Sequence, residues 1–144
     1  MDIFELLQKD HRAVEALFDD IASAEDTDAR EKLFEKLKDE FLRHKEAEER
    51  TFYAALSMLP ELADRIEEAM EEHVDAEELF EEVDGLDVEE EEWLATVAEL
   101  KEEIEHHVAE EEGEIFAQAK EHLTDEQAKK LGKEFEAEKK RLDV

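Results

Sequence analysis

The sequence of 144 residues contains no cysteine, one proline and three glycines. The lack of cysteine excludes disulfides, thiolate metal sites, iron–sulfur ligation and a cysteine nucleophile. The scarcity of proline and glycine leaves little material for the tight turns of a sheet. No apolar run approaches the roughly 20 residues that a membrane-spanning helix needs, so we expect no membrane partner.

Basic residues are scarce relative to acidic ones. The chain has 18 Lys and Arg against 48 Asp and Glu, which gives a formal net charge of −30. A surface of this charge repels nucleic acid and anionic membranes, so we expect neither as a partner. The N-terminal segment lacks the basic-then-apolar pattern of a secretory signal, which predicts a cytoplasmic protein.

Hydrophobic residues make up 41% of the chain and recur with the 3–4 spacing of amphipathic helices. The rest is rich in Glu, Ala, Leu and Lys, which are good helix formers. We therefore expect an all-α fold in a single domain, residues 1–144. The predicted architecture is an up-down antiparallel four-helix bundle with a short fifth helix at the C-terminus.

Local signals place the ends of these helices. The first helix should begin with a capping box and fade before a polar stretch, and the second should run up to the proline. The proline begins the third helix, a glycine turn precedes the fourth, and a second capping box opens the fifth. These signals stand at Asp2 with Glu5, Ala24, Met58, Pro60, Gly85, and Thr124 with Gln127.

The two halves of the chain repeat each other. Residues 10–21 match residues 72–83 at an offset of 62, and residues 44–54 match residues 107–117 at an offset of 63. The first helix pair should therefore be related to the second by a pseudo-two-fold axis. Special residues of the two halves should fall at equivalent places.

All six histidines have a glutamate four residues later, and helical residues four apart share a face. Because glutamate is so abundant, this spacing alone does not identify metal ligands. A histidine is therefore taken as a candidate ligand only when it lies on the apolar stripe of its helix. His107 continues the stripe of Ile104, whereas His106 lies about 100° round the helix and faces water. His122, at a helix end, is also read as a surface residue. The four pairs whose histidines face inward are His11/Glu15, His44/Glu48, His73/Glu77 and His107/Glu111.

These inward residues predict a metal site. Burying carboxylates without cations costs several kcal/mol each, and no Lys or Arg occupies the inward stripes of the four bundle helices. Imidazole and carboxylate without sulfur suit iron or manganese, and zinc less well. Two ions are expected because the ligands exceed what one ion needs, with Glu48 and Glu111 as bridges. Without a cation, we expect the pKa values of these two glutamates to rise.

The inward ligands stand on four successive helices in the order His11, His44 with Glu48, His73, and His107 with Glu111. This order resembles the hemerythrin-like, or HHE cation-binding, domain over essentially the whole chain. The resemblance implies an up-down four-helix bundle around a non-haem di-iron site, in which two iron ions are oxo- or hydroxo-bridged. It also implies that the four histidines are terminal ligands and the two glutamates are bridges.

The chain departs from the oxygen-carrying hemerythrins in two ways. They place a second histidine four residues along the third helix, where this chain has Glu77, and they close the last motif with aspartate at +5, where this chain has Glu111 at +4. Glu77 is therefore a further candidate ligand, and Glu15 is its equivalent on the first helix. A solvent-facing role stays open for Glu77 and is preferred for Glu15. Tyr53 can approach the site, although simple packing is the preferred interpretation.

Carboxylate in place of imidazole favours ferric iron, which counts against reversible oxygen carriage. Three functions remain open. They are a module that binds or senses dioxygen or nitric oxide, a di-iron enzyme of the oxidase or peroxide-degrading type, and an iron store or structural metal site. The expected partner is dioxygen or another small diatomic or peroxide ligand. The protein is expected to be a monomer or a weak homo-oligomer.

Overall fold

The computed structural model describes residues 1–142, and within them the chain forms helices and no strand. Four long helical rods joined by short loops make the bundle, and a further C-terminal helix packs against it, which confirms the predicted architecture. The first rod is α1 (Ile3–Ser23), and the third is α4 (Ala63–Asp84). The second rod consists of α2 (Thr27–Glu48), a π segment (Glu49–Tyr53) and α3 (Ala54–Ser57). The fourth consists of α5 (Glu91–Glu110), a second π segment (Glu111–Ile115) and α6 (Phe116–His122). The C-terminal helix is α7 (Asp125–Leu142), of 18 residues.

Both predicted capping boxes are present. The Glu5 N–H donates to the Asp2 carboxylate at 2.9 Å, and the Asp2 N–H donates to the Glu5 carboxylate at 3.2 Å. At the start of α7 the same exchange joins Thr124 and Gln127 at 2.8 and 3.1 Å. Each box satisfies backbone donors that the first helical turn leaves free, an effect of about 1 kcal/mol.

The third rod begins later than the proline signal predicts. Pro60 lies in a turn, and α4 starts only at Ala63. The N–H groups of Leu62 and Ala63 both donate to the carbonyl of Leu59 at 3.0 Å, so a closed turn precedes the helix.

Two apolar clusters fill the bundle, one on each side of a polar level. In α1, Leu7 belongs to the first cluster and Val14 to the second, with His11 between them. Full burial of such a side chain stabilises the fold by about 1.5–3 kcal/mol. The first cluster includes Phe52, Leu56, Ile66, Phe116 and Phe135, and the second includes Phe18, Phe34, Phe80, Trp93 and Leu100.

The two π segments occupy equivalent places in the sequence repeat, next to the predicted bridging glutamates. The first segment begins directly after Glu48, and the second begins at Glu111. In a π segment the hydrogen bonds run between residues five apart, so residues five apart come onto one face. Tyr53 is thereby brought to the side of Glu48. Its equivalent Phe116 follows the second π segment and is buried in the first apolar cluster. The sequence pattern predicted uninterrupted α-helix at both places and therefore missed this change of register.

The C-terminal helix lies close to the start of the chain. A Cβ atom on Gly132 would stand 2.7 Å from the backbone carbonyl oxygen of Met1, so this approach requires a glycine. Phe135 of α7 is almost fully buried in the first apolar cluster. The helix is thus packed tightly onto α1 and α2.

Within residues 1–142, no helix has both the length and the apolar character needed to cross a bilayer.

Candidate metal centre

Four buried histidines meet at the polar level between the two apolar clusters. Their Nε2 atoms point at two fully buried glutamates, Glu48 and Glu111. The distances are 3.5 Å from His44 and 3.3 Å from His73 to Glu48. They are 3.1 Å from His11 and 3.5 Å from His107 to Glu111. The structure therefore brings together six of the seven residues proposed as ligands.

The two glutamates have buried oxygen atoms that accept no hydrogen bond of good geometry. These atoms are both carboxylate oxygens of Glu48 and Oε1 of Glu111, and the histidine Nε2 atoms face Glu48 Oε1 and Glu111 Oε1 at 3.1–3.5 Å. A buried, unsatisfied charged group costs more than an ordinary unpaired polar atom, so natural proteins pair it with a cation or a metal. The donor set, imidazole nitrogen and carboxylate oxygen, fits a transition metal ion.

The ligand atoms form two groups, and the atoms of each group lie within 4.8 Å of one another. Glu48 belongs to both groups. One group adds His11, His44 and Glu111, and the other adds His73 and His107. We call these the His11/His44 position and the His73/His107 position. A carboxylate has two oxygens, so the shared Glu48 can contact an ion at each position.

The outward Nδ1 atom of every ligand histidine is hydrogen-bonded to a carboxylate from a neighbouring rod. The distances are 2.6 Å for His11 to Glu112, 2.8 Å for His44 to Asp10, 2.7 Å for His73 to Glu49, and 2.8 Å for His107 to Glu72. Each rod gives its carboxylate to the histidine of the next rod, and the fourth gives to the first. We call these four acids the carboxylate ring. Such partners fix the ring tautomer and orientation of a metal-bound histidine.

Sequence reasoning missed the carboxylate ring, although a signal existed. Asp10 and Glu72 each precede an inward histidine, whereas Glu49 and Glu112 each follow an inward glutamate. The four acids are therefore equivalent in pairs under the sequence repeat. Acidic residues are abundant on the surface of every helix. The sequence of a single helix does not show which of these acids faces a neighbouring rod.

Tyr53 contacts the site directly, contrary to the packing interpretation. Its hydroxyl donates to the Glu111 carboxylate and lies 3.2 Å from His107 Nε2, and its ring stacks on His73 at 5.4 Å. The side chain is 0% exposed. Burial and the charges of Glu111 and Glu48 raise the pKa of Tyr53 well above its ordinary value, so the hydroxyl keeps its proton.

Without a metal, the carboxylates around His44 and His107 raise the pKa values of these two imidazoles and favour their protonated forms. Burial by itself lowers the pKa of His44, but the Glu48 charge and the hydrogen bond to Asp10 outweigh it and raise that pKa to about 10. The pKa of His107 rises to about 10, because its bonds to Glu111 and Glu72 outweigh its burial.

The sequence-based expectation for the pKa of Glu111 was wrong. Burial raises it, but hydrogen bonds with His107 and His11 prevail and lower it well below its ordinary value. The difference arises because the protonated form of His107 lies beside this carboxylate. A metal ion needs the neutral imidazole, so its binding releases these protons.

Glu77 lies outside both ligand groups among the described residues. Its carboxylate pairs with Lys45 at 2.6 Å and is partly exposed. Glu15 is exposed and pairs with Arg12 at 3.3 Å. His122 and His106 are on the surface, as the helical phase predicts, and His106 pairs with Glu110 at 3.0 Å.

A cavity of about 30 Å³ adjoins the four histidine rings. Its other walls are apolar: Val14, Phe41, Ile104 and Val108. A cleft of about 310 Å³ between α1 and α5 shares His11, Val14, Ile104 and Val108 with this cavity. Arg12, Glu15 and Glu112 line the cleft farther out. Val14, Ile104 and Val108 therefore stand between the cleft and the other three histidines, whereas His11 lines both spaces.

Comparison with known proteins agrees with this geometry. The family model of the hemerythrin HHE cation binding domain matches residues 2–119. The chain is similar in fold to a solved HHE cation-binding domain-containing protein from Mycobacterium kansasii. The TM-score is 0.88 at 24% identity, over 99% of this chain and 87% of that one.

One curated relative carries a different name. The chain is 25% identical over 142 residues to a protein of Nostoc sp. named DNA nickase, and the match covers 99% of this chain and 40% of that protein. The chain thus spans two-fifths of the length of this relative.

Proposed function

The chain belongs to the hemerythrin HHE cation-binding domain family, and we propose that it is a non-haem di-iron protein that binds, senses or reacts with dioxygen, peroxide or nitric oxide. The observation that carries the proposal is the pair of ligand groups sharing Glu48, whose two buried oxygens accept no hydrogen bond of good geometry. Metal binding belongs to the family and fits the residues. The identity of the metal, its number and its chemistry are the proposal.

Two ions suit this site better than one. A single ion at the His11/His44 position would leave His73 and His107 with no role, although the carboxylate ring orients both of them. With two ions, each position receives two imidazoles and a share of the glutamates. Two ions would also neutralise the buried carboxylates that the chain leaves without Lys or Arg partners.

Iron is the metal that we propose. The ligands are four imidazoles and two carboxylates with no sulfur, a set that suits iron or manganese and is less typical of zinc. When bound, a pair of iron ions supplies one-electron chemistry toward oxygen species. The protein side chains contribute binding, orientation and exclusion of water.

The cavity limits the size of the reactant. Its volume of about 30 Å³ holds about two water-sized groups, since one needs about 10–15 Å³. A diatomic molecule or peroxide fits, and a larger organic substrate does not. The apolar wall formed by Val14, Phe41, Ile104 and Val108 favours an uncharged ligand.

Tyr53 favours a reactive site over a purely structural or storage site. Its hydroxyl holds a proton at Oη, beside the His73/His107 position and in a region closed to water. A buried donor at this place can deliver a proton to a reduced oxygen species or stabilise it by a hydrogen bond. A structural site needs no such donor, and a store needs space for more ions than two.

The alternatives remain a di-iron enzyme of the oxidase or peroxide-degrading type and an iron-storage or structural protein. We do not extend the nickase name to this chain, because its charge of −30 disfavours contact with the phosphate backbone. Dioxygen or a related small ligand is the proposed partner, without nucleic acid or membrane.

The test combines metal analysis with rapid mixing. Protein produced with added iron should contain close to two irons per chain. The reduced protein should react with dioxygen or peroxide with a change in the visible bands of the metal centre. A protein that takes up one zinc and no iron would refute the di-iron proposal.

A further inference from the structure

Three acids of the carboxylate ring take cations from within the four-rod bundle. Arg12 of α1 binds both oxygens of Glu112 at 2.7 and 2.8 Å. Lys45 of α2 lies 4.0 Å from Glu49. The pKa of Glu72 is lowered mainly by its hydrogen bond to His107, and the positive charge of Arg65, also on α4, lowers it further.

Asp10, the fourth acid, takes its cation from outside the bundle. The Nζ atom of Lys139, on α7, lies 2.9 and 2.8 Å from its two carboxylate oxygens. Asp10 in turn accepts the hydrogen bond of His44 Nδ1 at 2.8 Å. The chain of contacts therefore runs from α7 through one carboxylate to a metal-ligand histidine.

A second contact from α7 reaches the same histidine. The Phe135 ring meets the His44 ring edge-on, with centroids 5.7 Å apart at 75°. Lys139 also lies 5.9 Å from the centroid of the Phe135 ring, so the two α7 side chains support each other. His44 is thus held from one side by Phe135 and from its Nδ1 side by Asp10.

The sequence repeat shows that α7 supports His44 but not its equivalent in the other half of the chain. His107 and Glu72 are the repeat equivalents of His44 and Asp10, but α7 follows the second half and has no equivalent between the halves. The matched family model ends at residue 119, before α7 begins at Asp125.

We propose that α7 is a positioning element for the His11/His44 metal position, acting through Lys139 and Asp10 on His44. Lys139 fixes the Asp10 carboxylate, and the carboxylate fixes the imidazole with its Nε2 toward Glu48. The His73/His107 position does not depend on this contact. The inference rests on the proposed two-metal site.

The experiment compares Lys139→Met with the unmodified full-length protein in metal titrations of the apo form, with anaerobic ferrous iron and with cobalt(II) as a spectroscopic probe. Lys139→Met keeps an unbranched side chain that is one atom shorter and removes its charge. One of the two binding steps should weaken by about 10-fold, the lower end of the effect of outer-shell partners, while the other step is unchanged. Lys139→Arg should restore the weakened step.

Lys140→Met is the matched control, because Lys140 is the next residue on the same helix and is exposed. It should bind both ions as the unmodified protein does. Gly132→Ala is a second probe, since its Cβ must push α7 away from Met1 without removing a polar group. It should weaken the same step as Lys139→Met.

Equal weakening of both steps, no weakening of either, or the same effect from Lys140→Met would overturn the inference. These results would leave the two-metal site standing if the unmodified protein binds two ions. Binding of a single ion by the unmodified protein would overturn the proposed function, and the inference with it.

Discussion

Tyr53 and Phe116 are equivalent residues of the two halves, and Tyr53 brings a hydroxyl to the metal centre where Phe116 has none. Both follow a proposed bridging glutamate by five residues, with a π segment between the two positions. Phe116 packs its ring edge on Phe4 at 5.0 Å. The site is therefore nearly two-fold symmetric in its ligands but asymmetric in its proton donors.

Tyr53→Phe should leave two irons per chain and slow the reaction with peroxide. The hydroxyl is expected to serve as a proton donor, and such groups contribute about 10²-fold or more to rate. Thr51→Val is the control, because Thr51 lies in the same π segment, is buried and donates to the Ala47 carbonyl at 2.7 Å, away from the site. Rapid mixing with peroxide measures the rate. An unchanged rate in Tyr53→Phe would remove Tyr53 from the mechanism.

His107→Ala should cost the protein one of its two ions, whereas His106→Ala should keep both. The two residues are adjacent, but His107 points its Nε2 at Glu111, and His106 is 64% exposed. Metal content per chain is the measurement. Loss of metal in the His106 variant alone would contradict the ligand assignment on the fourth rod.

Glu77→Gln should bind metal like the unmodified protein, because its carboxylate pairs with Lys45 outside both ligand groups. A partly exposed pair of this kind contributes about 1 kcal/mol or less to stability. Glu48→Gln is the contrasting variant, and it should weaken both binding steps because Glu48 belongs to both groups. Titration of the apo proteins with metal would measure the effect. If Glu77→Gln loses an ion, the carboxylate must turn toward the site when metal is present.

The metal-free protein should lose stability as the pH rises from about 6.5 to about 10. The pKa values of His44 and His107 are raised from 6.5 to about 10, so their contribution is complete below 6.5 and lost as the pH approaches 10. The lowered pKa of Glu111 adds a contribution that is complete above 4.5 and lost at more acidic pH.

Melting temperatures of the apo protein should therefore be highest between about pH 4.5 and 6.5. His107→Gln should flatten the alkaline decline, and the surface variant His122→Gln should not. A melting temperature that stays level or climbs between pH 6.5 and 9 would show that the histidines are neutral in the apo fold.

Val108→Trp should slow the entry of small ligands without loss of metal. Val108 lines both the inner cavity and the cleft between α1 and α5, so a larger side chain blocks the connection between them. Val74→Trp is the control, because Val74 is 51% exposed on α4. The rate of nitric oxide binding to the reduced protein is the measurement. Equal rates in both variants would place the entry route elsewhere.

The sequence by itself determined the helices and the level at which the histidines meet. Helical periodicity is local, so the apolar stripe showed that His107 faces inward and that His106 does not. The capping boxes at Asp2 and Thr124 are local as well, and both are present. The four inward stripes are similar in length, so their histidines lie at a similar height in the bundle. The ligand atoms can therefore meet in two groups.

Tertiary structure decided which acids hydrogen-bond to the four histidines and which other side chains contact the site. The carboxylate ring depends on which rod neighbours which, a relationship that no single helix encodes. Tyr53 reaches the centre because a π segment changes the register after Glu48, and Glu77 turns away because Lys45 of the neighbouring rod binds it. The link from Lys139 to Asp10 joins residues 129 positions apart, and only the packing of α7 brings them together.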